Sequence, residues 1–162
     1  MFSEFPASKV HDEKVEKLVD SLRSHVEDIR LVALKEMKRL VFIDRGFQPY
    51  QNAIARSGGI LLMVEMGCGT EVSTVFVQKQ CWETLTEMVF ENPMTSQHLA
   101  SIPGVLPKMK ELLLQGNHLL RDKIMSTINN TLAMIKQIPD EWGELIEVLC
   151  KVFQKGRHEN SI

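Results

Sequence analysis

Residues 51–66 read Gln-Asn-Ala-Ile-Ala-Arg-Ser-Gly-Gly-Ile-Leu-Leu-Met-Val-Glu-Met. A short helical segment, a Gly58-Gly59 break and an apolar helical segment follow one another there. A glycine pair supplies a tight corner because neither residue has a Cβ to clash. The pattern returns further along the chain: Ile54, Gly59, Ile60 and Leu61 reappear as Leu99, Gly104, Val105 and Leu106, a constant shift of 45 positions. A period of this size marks stacked helical units.

Before this stretch, Val15, Leu18, Val19, Leu22 and Val26 share one face of a helix, and Ile29, Val32, Ala33, Met37, Leu40 and Val41 form the stripe of a second over 29–42. Gly46 and Pro49 end that run. After it, the reading is a short helix over 50–57, a helix over 60–66, a Gly67-Cys68-Gly69 loop and a long helix over 72–90 carrying Val75, Phe76, Trp82, Leu85, Met88 and Val89. Asn92-Pro93 stops it. The order then repeats: a short helix over 95–101, a corner at Gly104, a helix over 105–114, a loop at Gly116 and a long helix over 119–135. A last amphipathic helix spans 141–153, with Asp140 as its expected N-cap. The expected organisation is a flexible lead over 1–8, one helical domain over 9–155 and a flexible tail over 156–162.

Bulk properties narrow the function. The chain has 162 residues, 44% of them hydrophobic, a net charge of −2 and a pI near 6.2. Nothing in that balance supplies the basic field of a nucleic-acid or anionic-membrane binder. Cys68, Cys81 and Cys150 form no CxxC pair and are expected to be small buried residues in a reducing compartment. No apolar window is long enough to span a membrane and no leader pattern opens the chain, so cytosol or nucleus is the expected location. The five histidines lack HxxxH or HExxH spacing, and there is no GxSxG motif, so neither a metal nor any other cofactor is expected, and no catalysis. Asn129-Asn130-Thr131 matches a glycosylation acceptor by chance, inside a helical pattern.

The stretch over 52–66 with the long helix after it resembles one armadillo repeat, residues 99–135 resemble a second, and residues 16–42 resemble the second and third helices of a preceding one. The resemblance implies an all-α fold: a short right-handed superhelix of about three repeats, an armadillo-like solenoid, with a C-terminal capping helix. It also implies that the third helices line a concave groove binding an extended protein or peptide segment. In peptide-binding members a recurring asparagine on the third helix holds the ligand backbone. The matching positions are Arg39, Glu87 and Asn130, of which only the last is asparagine, so the family's nuclear-import grip is not carried over.

Under that resemblance the groove floor comprises Lys35 and Arg39, then Glu83, Glu87 and Glu91, then Lys123, Ser126 and Asn130. An acidic centre of this kind suits a partner segment with basic residues opposite Glu83 and Glu87. The leading expectation is a non-enzymatic adaptor that binds through this groove. The alternative is a structural subunit that assembles through the solenoid ends into a homo-oligomer or larger complex, with Trp142, Leu145 and Phe153 either capping the core or meeting another chain. Phe2 and Phe5 form a small apolar cluster on the lead. A nucleic-acid-binding repeat needs a basic stripe that the chain lacks.

Overall fold

The computed structural model describes residues 12–43, 48–69, 73–115 and 117–159; among them are nine α-helices and no strand, so the protein is all-α. In order they are α1 (Asp12–Ser21), α2 (Glu27–Ile43), α3 (Pro49–Arg56), α4 (Gly59–Gly67), α5 (Val75–Met88), α6 (Pro93–Ala100), α7 (Val105–Gln115), α8 (His118–Met134) and α9 (Asp140–Glu159). The expected lead over 1–8, with Phe2 and Phe5, and the loop glycines Gly46 and Gly116 lie outside the described residues.

Capping chemistry explains where the helices start. Pro49 and Pro93 open α3 and α6, where a missing N–H costs nothing, so both helices begin before the expected Tyr50 and Thr95. Asn92 caps α6: its Oδ1 accepts from the backbone N–H groups of Met94 and Thr95 at 3.0 and 3.2 Å. Thr74 caps α5 in the same manner, so that helix starts at Val75 and not Val72. Asp140 lies inside the first turn of α9, beside Glu141, where negative charge suits the helix dipole; it is not the expected N-cap. The same helix runs to Glu159, beyond the expected end at Phe153.

The two corners are made by glycine in the left-handed region, Gly58 (φ 84°) before α4 and Gly104 (φ 78°) before α7. Gly59 is needed for a different reason. A Cβ there would stand 2.6 Å from Ile54 Cγ2 and 3.3 Å from Val19 Cγ2, because α1, α3 and α4 converge on it.

The three long helices α2, α5 and α8 lie side by side in chain order, with α5 against both others. They run parallel. Thr74 at the start of α5 bonds Glu27 at the start of α2, while Lys38 and Glu83 meet further along. Likewise Trp82 O and Thr86 O accept from Thr127 and Asn130 in the same order along α8. Helices α3 and α4, then α6 and α7, form a second layer beneath this row, α1 covers its beginning, and α9 packs on α7. Leu34, Met37, Ile54, Met63, Trp82 and Leu85 fill the first half of the core, and Met88, Leu99, Met109, Leu113 and Trp142 the second. Trp82 is fully buried and its indole N–H donates to Gly67 O at 2.8 Å. Met37 and Met88 are core residues as the periodicity predicts, Met63, Met66 and Met109 are buried as well, and Met125 and Met134 are half-buried. Cys81 is buried, Cys68 partly so, and Cys150 is exposed, which corrects the expectation that all three are interior.

A buried polar latch ties the layers together. Asn92 Nδ2 donates to Gln51 Oε1 at 3.0 Å and Asn52 Oδ1 at 2.9 Å, while Gln51 Nε2 donates to the carbonyls of Glu87 and Phe90 at 2.8 and 2.9 Å. Thr95 and Ser96 hydroxyls take the carbonyls of Met88 and Val89. The last turn of α5 has no helical donors of its own to satisfy these carbonyls, and the side chains of α3 and α6 donate to them instead.

Candidate functional site

Each long helix has one side against the lower layer and one side outward. Residues seven apart on a helix share a face, so Val32 and Arg39 belong together on α2, Phe76 and Glu83 on α5, and Leu119 and Ser126 on α8. The expected groove residues distribute over this surface unevenly.

Glu83 is its centre. Its carboxylate lies within 3.5 Å of Lys38 Nζ, 3.5 Å of Lys123 Nζ and 3.8 Å of Lys79 Nζ, linking α2, α5 and α8 through one residue. One carboxylate among three ammonium groups leaves an excess of positive charge. Glu83 is thus a shared partner of three lysines, with half-buried Glu87 one turn further along α5. Lys38 and Lys79 belong to this cluster although the sequence reading passed over both. The rotation of α2 puts Lys38 towards α5 and points Arg39 away from the cluster.

Arg39 is exposed and forms a two-pronged pair with Glu36, Nε to Oε2 at 2.9 Å and Nη2 to Oε1 at 2.7 Å. The guanidinium, with Lys14 Nζ at 4.0 Å, holds the Glu36 carboxyl below its ordinary value. Lys35 is exposed. Glu87 is half-buried, and its main-chain carbonyl is taken by Gln51. Glu91 is exposed with a left-handed backbone (φ 47°), its carbonyl accepting from Gln48 at 2.6 Å. Ser126 Oγ donates to Asp122 O. Asn130 Nδ2 donates to Thr86 O at 3.1 Å, so this asparagine is engaged by the neighbouring helix.

Towards the N-terminal ends of the same helices stand exposed apolar side chains, of which the periodicity assigns Ile29, Val32 and Phe76 to buried stripes. Phe76 is 68% exposed and Val32 67%, and Ile29 and Leu119 are also exposed. All four occupy the first two turns of α2, α5 and α8, so they gather at the N-terminal ends of the row. Ile29, Val32 and Phe76 read as stripe positions because each is hydrophobic and lies within helical spacing of truly buried residues.

At the other end of the fold, Trp142 and Leu145 are buried against the core, which makes them capping residues with no side chain to offer a partner; the Phe153 side chain lies outside the described residues. Burial pushes the Cys68 thiol up to about 11 and the Cys81 thiol up to about 12, so neither is a thiolate at neutral pH. Among the described residues, no group of three His, Cys, Asp or Glu side chains is placed to hold a metal ion, and no helix is long and apolar enough to cross a membrane. A scan against protein-family models and searches of curated proteins and of solved structures find no match to the chain.

Proposed function

We propose that the chain is a non-enzymatic interaction scaffold of the armadillo-like kind: a short right-handed superhelix that receives a partner protein segment along the outer face of α2, α5 and α8. The observation that supports this reading is the presence, on three parallel helices, of exposed Phe76 and Leu119 on the same helices as the Lys38, Lys79 and Lys123 cluster around Glu83, with exposed Val32 at the start of α2. Single exposed apolar residues are ordinary on a protein surface, but a row of them at equivalent places beside a charged cluster has the composition of a binding strip. The partner it suits is an extended segment with apolar side chains at one end and carboxylates opposite the lysines. This charge preference differs from the basic segment expected from the sequence, because three lysines surround Glu83. The reading requires no cofactor, nucleic acid or membrane, and places the protein in cytosol or nucleus.

Selection of a displayed random-peptide library on the purified chain tests it. The expected ligands combine Asp or Glu with aromatic or aliphatic residues. Their affinity falls with Phe76→Ser and with Lys79→Gln/Lys123→Gln, rises with Glu83→Gln, and is unchanged by Glu65→Lys on the exposed side of α4. Ligands indifferent to both the Phe76 and the lysine variants would remove the row as the binding face.

A further inference from the structure

Three helices aim ammonium groups at one acid. Lys38 of α2 and Lys123 of α8 reach the Glu83 carboxylate at 3.5 Å from the two helices that flank α5, and Lys79 reaches it at 3.8 Å from the preceding turn of α5 itself. The acid is the deepest member of the group. The Glu83 side chain is 17% exposed, against 39, 41 and 40% for Lys38, Lys79 and Lys123. The carboxylate therefore underlies the ammonium groups and holds them together at the surface of the row. Each ammonium carries three N–H donors, whereas the carboxylate has only two oxygens to share among all of them. At these separations the contacts are ion pairs and not short hydrogen bonds, so donors remain for a group arriving from outside. The other charges nearby are few. Exposed Lys35 stands one turn before Lys38, and half-buried Glu87 one turn beyond Glu83. Arg39 is engaged by Glu36, and Asp122 lies in the trough that α8 forms with Leu149 of α9.

We propose that the three lysines receive a phosphate monoester, carried on a phosphorylated serine or threonine of the partner segment. The inference rests on the reading of the row as a segment-binding face and narrows what that segment carries. The lysines already share a carboxylate. A ligand carboxylate brings the same single charge and the same pair of oxygens as Glu83, so it gains little by dividing the ammonium groups with it. A phosphate monoester brings close to two negative charges at neutral pH and three acceptor oxygens, one for each ammonium group. It outbids Glu83 for the lysines without displacing it, because Glu83 lies beneath. In the empty site Glu83 keeps three long, flexible side chains converged, which lessens the ordering that binding must pay for. Phe76 adds a register. It lies seven positions before Glu83 on the same face of α5, about 10 Å along the helix axis. An extended chain covers that distance in about three residues. The segment that fits has an aromatic or aliphatic residue at that spacing from the phosphorylated one.

Fluorescence anisotropy of labelled peptides titrated with the full chain tests this. One peptide carries phenylalanine at that spacing from a phosphoserine in a background of Gly, Ala and Ser; its two counterparts have serine or glutamate in place of the phosphoserine. The phosphopeptide is expected to bind at least about tenfold tighter than either counterpart. Lys38→Gln and Lys79→Gln/Lys123→Gln each abolish that preference, while Lys108→Gln/Lys110→Gln, which removes charge from α7, leaves it intact. Glu83→Gln raises the affinity of the glutamate peptide more than that of the phosphopeptide, because the ligand carboxylate then has no equal to compete with. Circular-dichroism melts of the same samples show that each variant is folded. Inorganic phosphate and phosphatidic acid vesicles, added as competitors, displace the phosphopeptide far less well than its unlabelled form does. A phosphopeptide that binds no tighter than the glutamate peptide, a preference that survives the lysine variants, or inorganic phosphate or vesicles binding as tightly as the phosphopeptide overturns the proposal. The serine peptide separates the two readings. If it binds and weakens with Phe76→Ser while phosphorylation adds nothing, the row remains a segment-binding face and the phosphate assignment falls; if none of the peptides binds, both fall.

Discussion

Replacing Asn92 with alanine removes one small side chain that bonds to two helices, α3 and α6. Asn92 is fully buried, caps α6 through Oδ1 and donates through Nδ2 to Gln51 and Asn52. Loss of the cap costs about 1 kcal/mol. The Gln51 and Asn52 side-chain oxygens then lose their donor inside the protein, at about 1 kcal/mol each. Gln51 cannot turn its amide to compensate, because its Nε2 is held by the Glu87 and Phe90 carbonyls. The total for Asn92→Ala is about 3 kcal/mol, or about 1.5 M in urea midpoint for a slope of about 2 kcal/mol per molar. Tryptophan fluorescence reads the transition, since Trp82 and Trp142 are both buried in the core. Asn92→Asp separates the two roles. It keeps the cap but sets a carboxylate against two amide oxygens, which raises its pKa. Such a group is penalised as pH rises through the unfolded carboxyl value, so at neutral pH this variant is no more stable than Asn92→Ala and it recovers in acid. A cost below about 1 kcal/mol for Asn92→Ala would refute the latch as a structural brace.

Three further outcomes follow from the geometry. Gly59→Ala is expected to cost about 2 kcal/mol, since the new methyl lands on Ile54 Cγ2. Gly104→Ala, with a φ of 78° but open space around it, costs about 1 kcal/mol; equal costs for the pair would contradict the crowding at Gly59. Glu36 is held below its ordinary pKa by Arg39, so the stability it contributes is complete above the unfolded carboxyl value and is lost as pH falls through the lower folded one. Glu36→Gln should therefore make the fall of melting temperature between about pH 5 and pH 3 shallower, and an unchanged slope removes the pair from the account. Glu83→Gln leaves three lysines without their carboxylate and is expected to lower stability by about 1 kcal/mol, less at high salt. Urea melts at two ionic strengths decide this, and a salt-independent cost argues against an electrostatic origin.

Periodicity made the helices legible, because apolar spacing and glycine corners are local properties: Gly58 and Gly104 turn where the sequence suggests, and Trp82 is interior. Helix starts were displaced by caps at Thr74 and Asn92 that compete with the apolar pattern. The polar face was read less well. Glu83 and Lys123 were singled out and do meet, but Lys38 and Lys79 complete their cluster, while Arg39 and Asn130 are held by Glu36 and Thr86. Which lysine of α2 reaches α5 depends on helix rotation, and rotation is set by side chains interlocking some 45 positions away in the chain. Gln51 and Asn52 were unremarkable as sequence, because their burial depends on Asn92, which lies 41 and 40 positions further on.

Glu83 makes the surface and its scaffold interdependent. The ammonium groups of Lys38 and Lys123 are at once the groups a carboxylate ligand would seek and the ties that join α2 and α8 to α5. A ligand acid that draws Lys123 towards itself draws it from Glu83, slackening one seam of the row while adding a new bond across the others. Occupancy of the face by such a ligand would thereby bear on the spacing of the three helices that Glu83 joins.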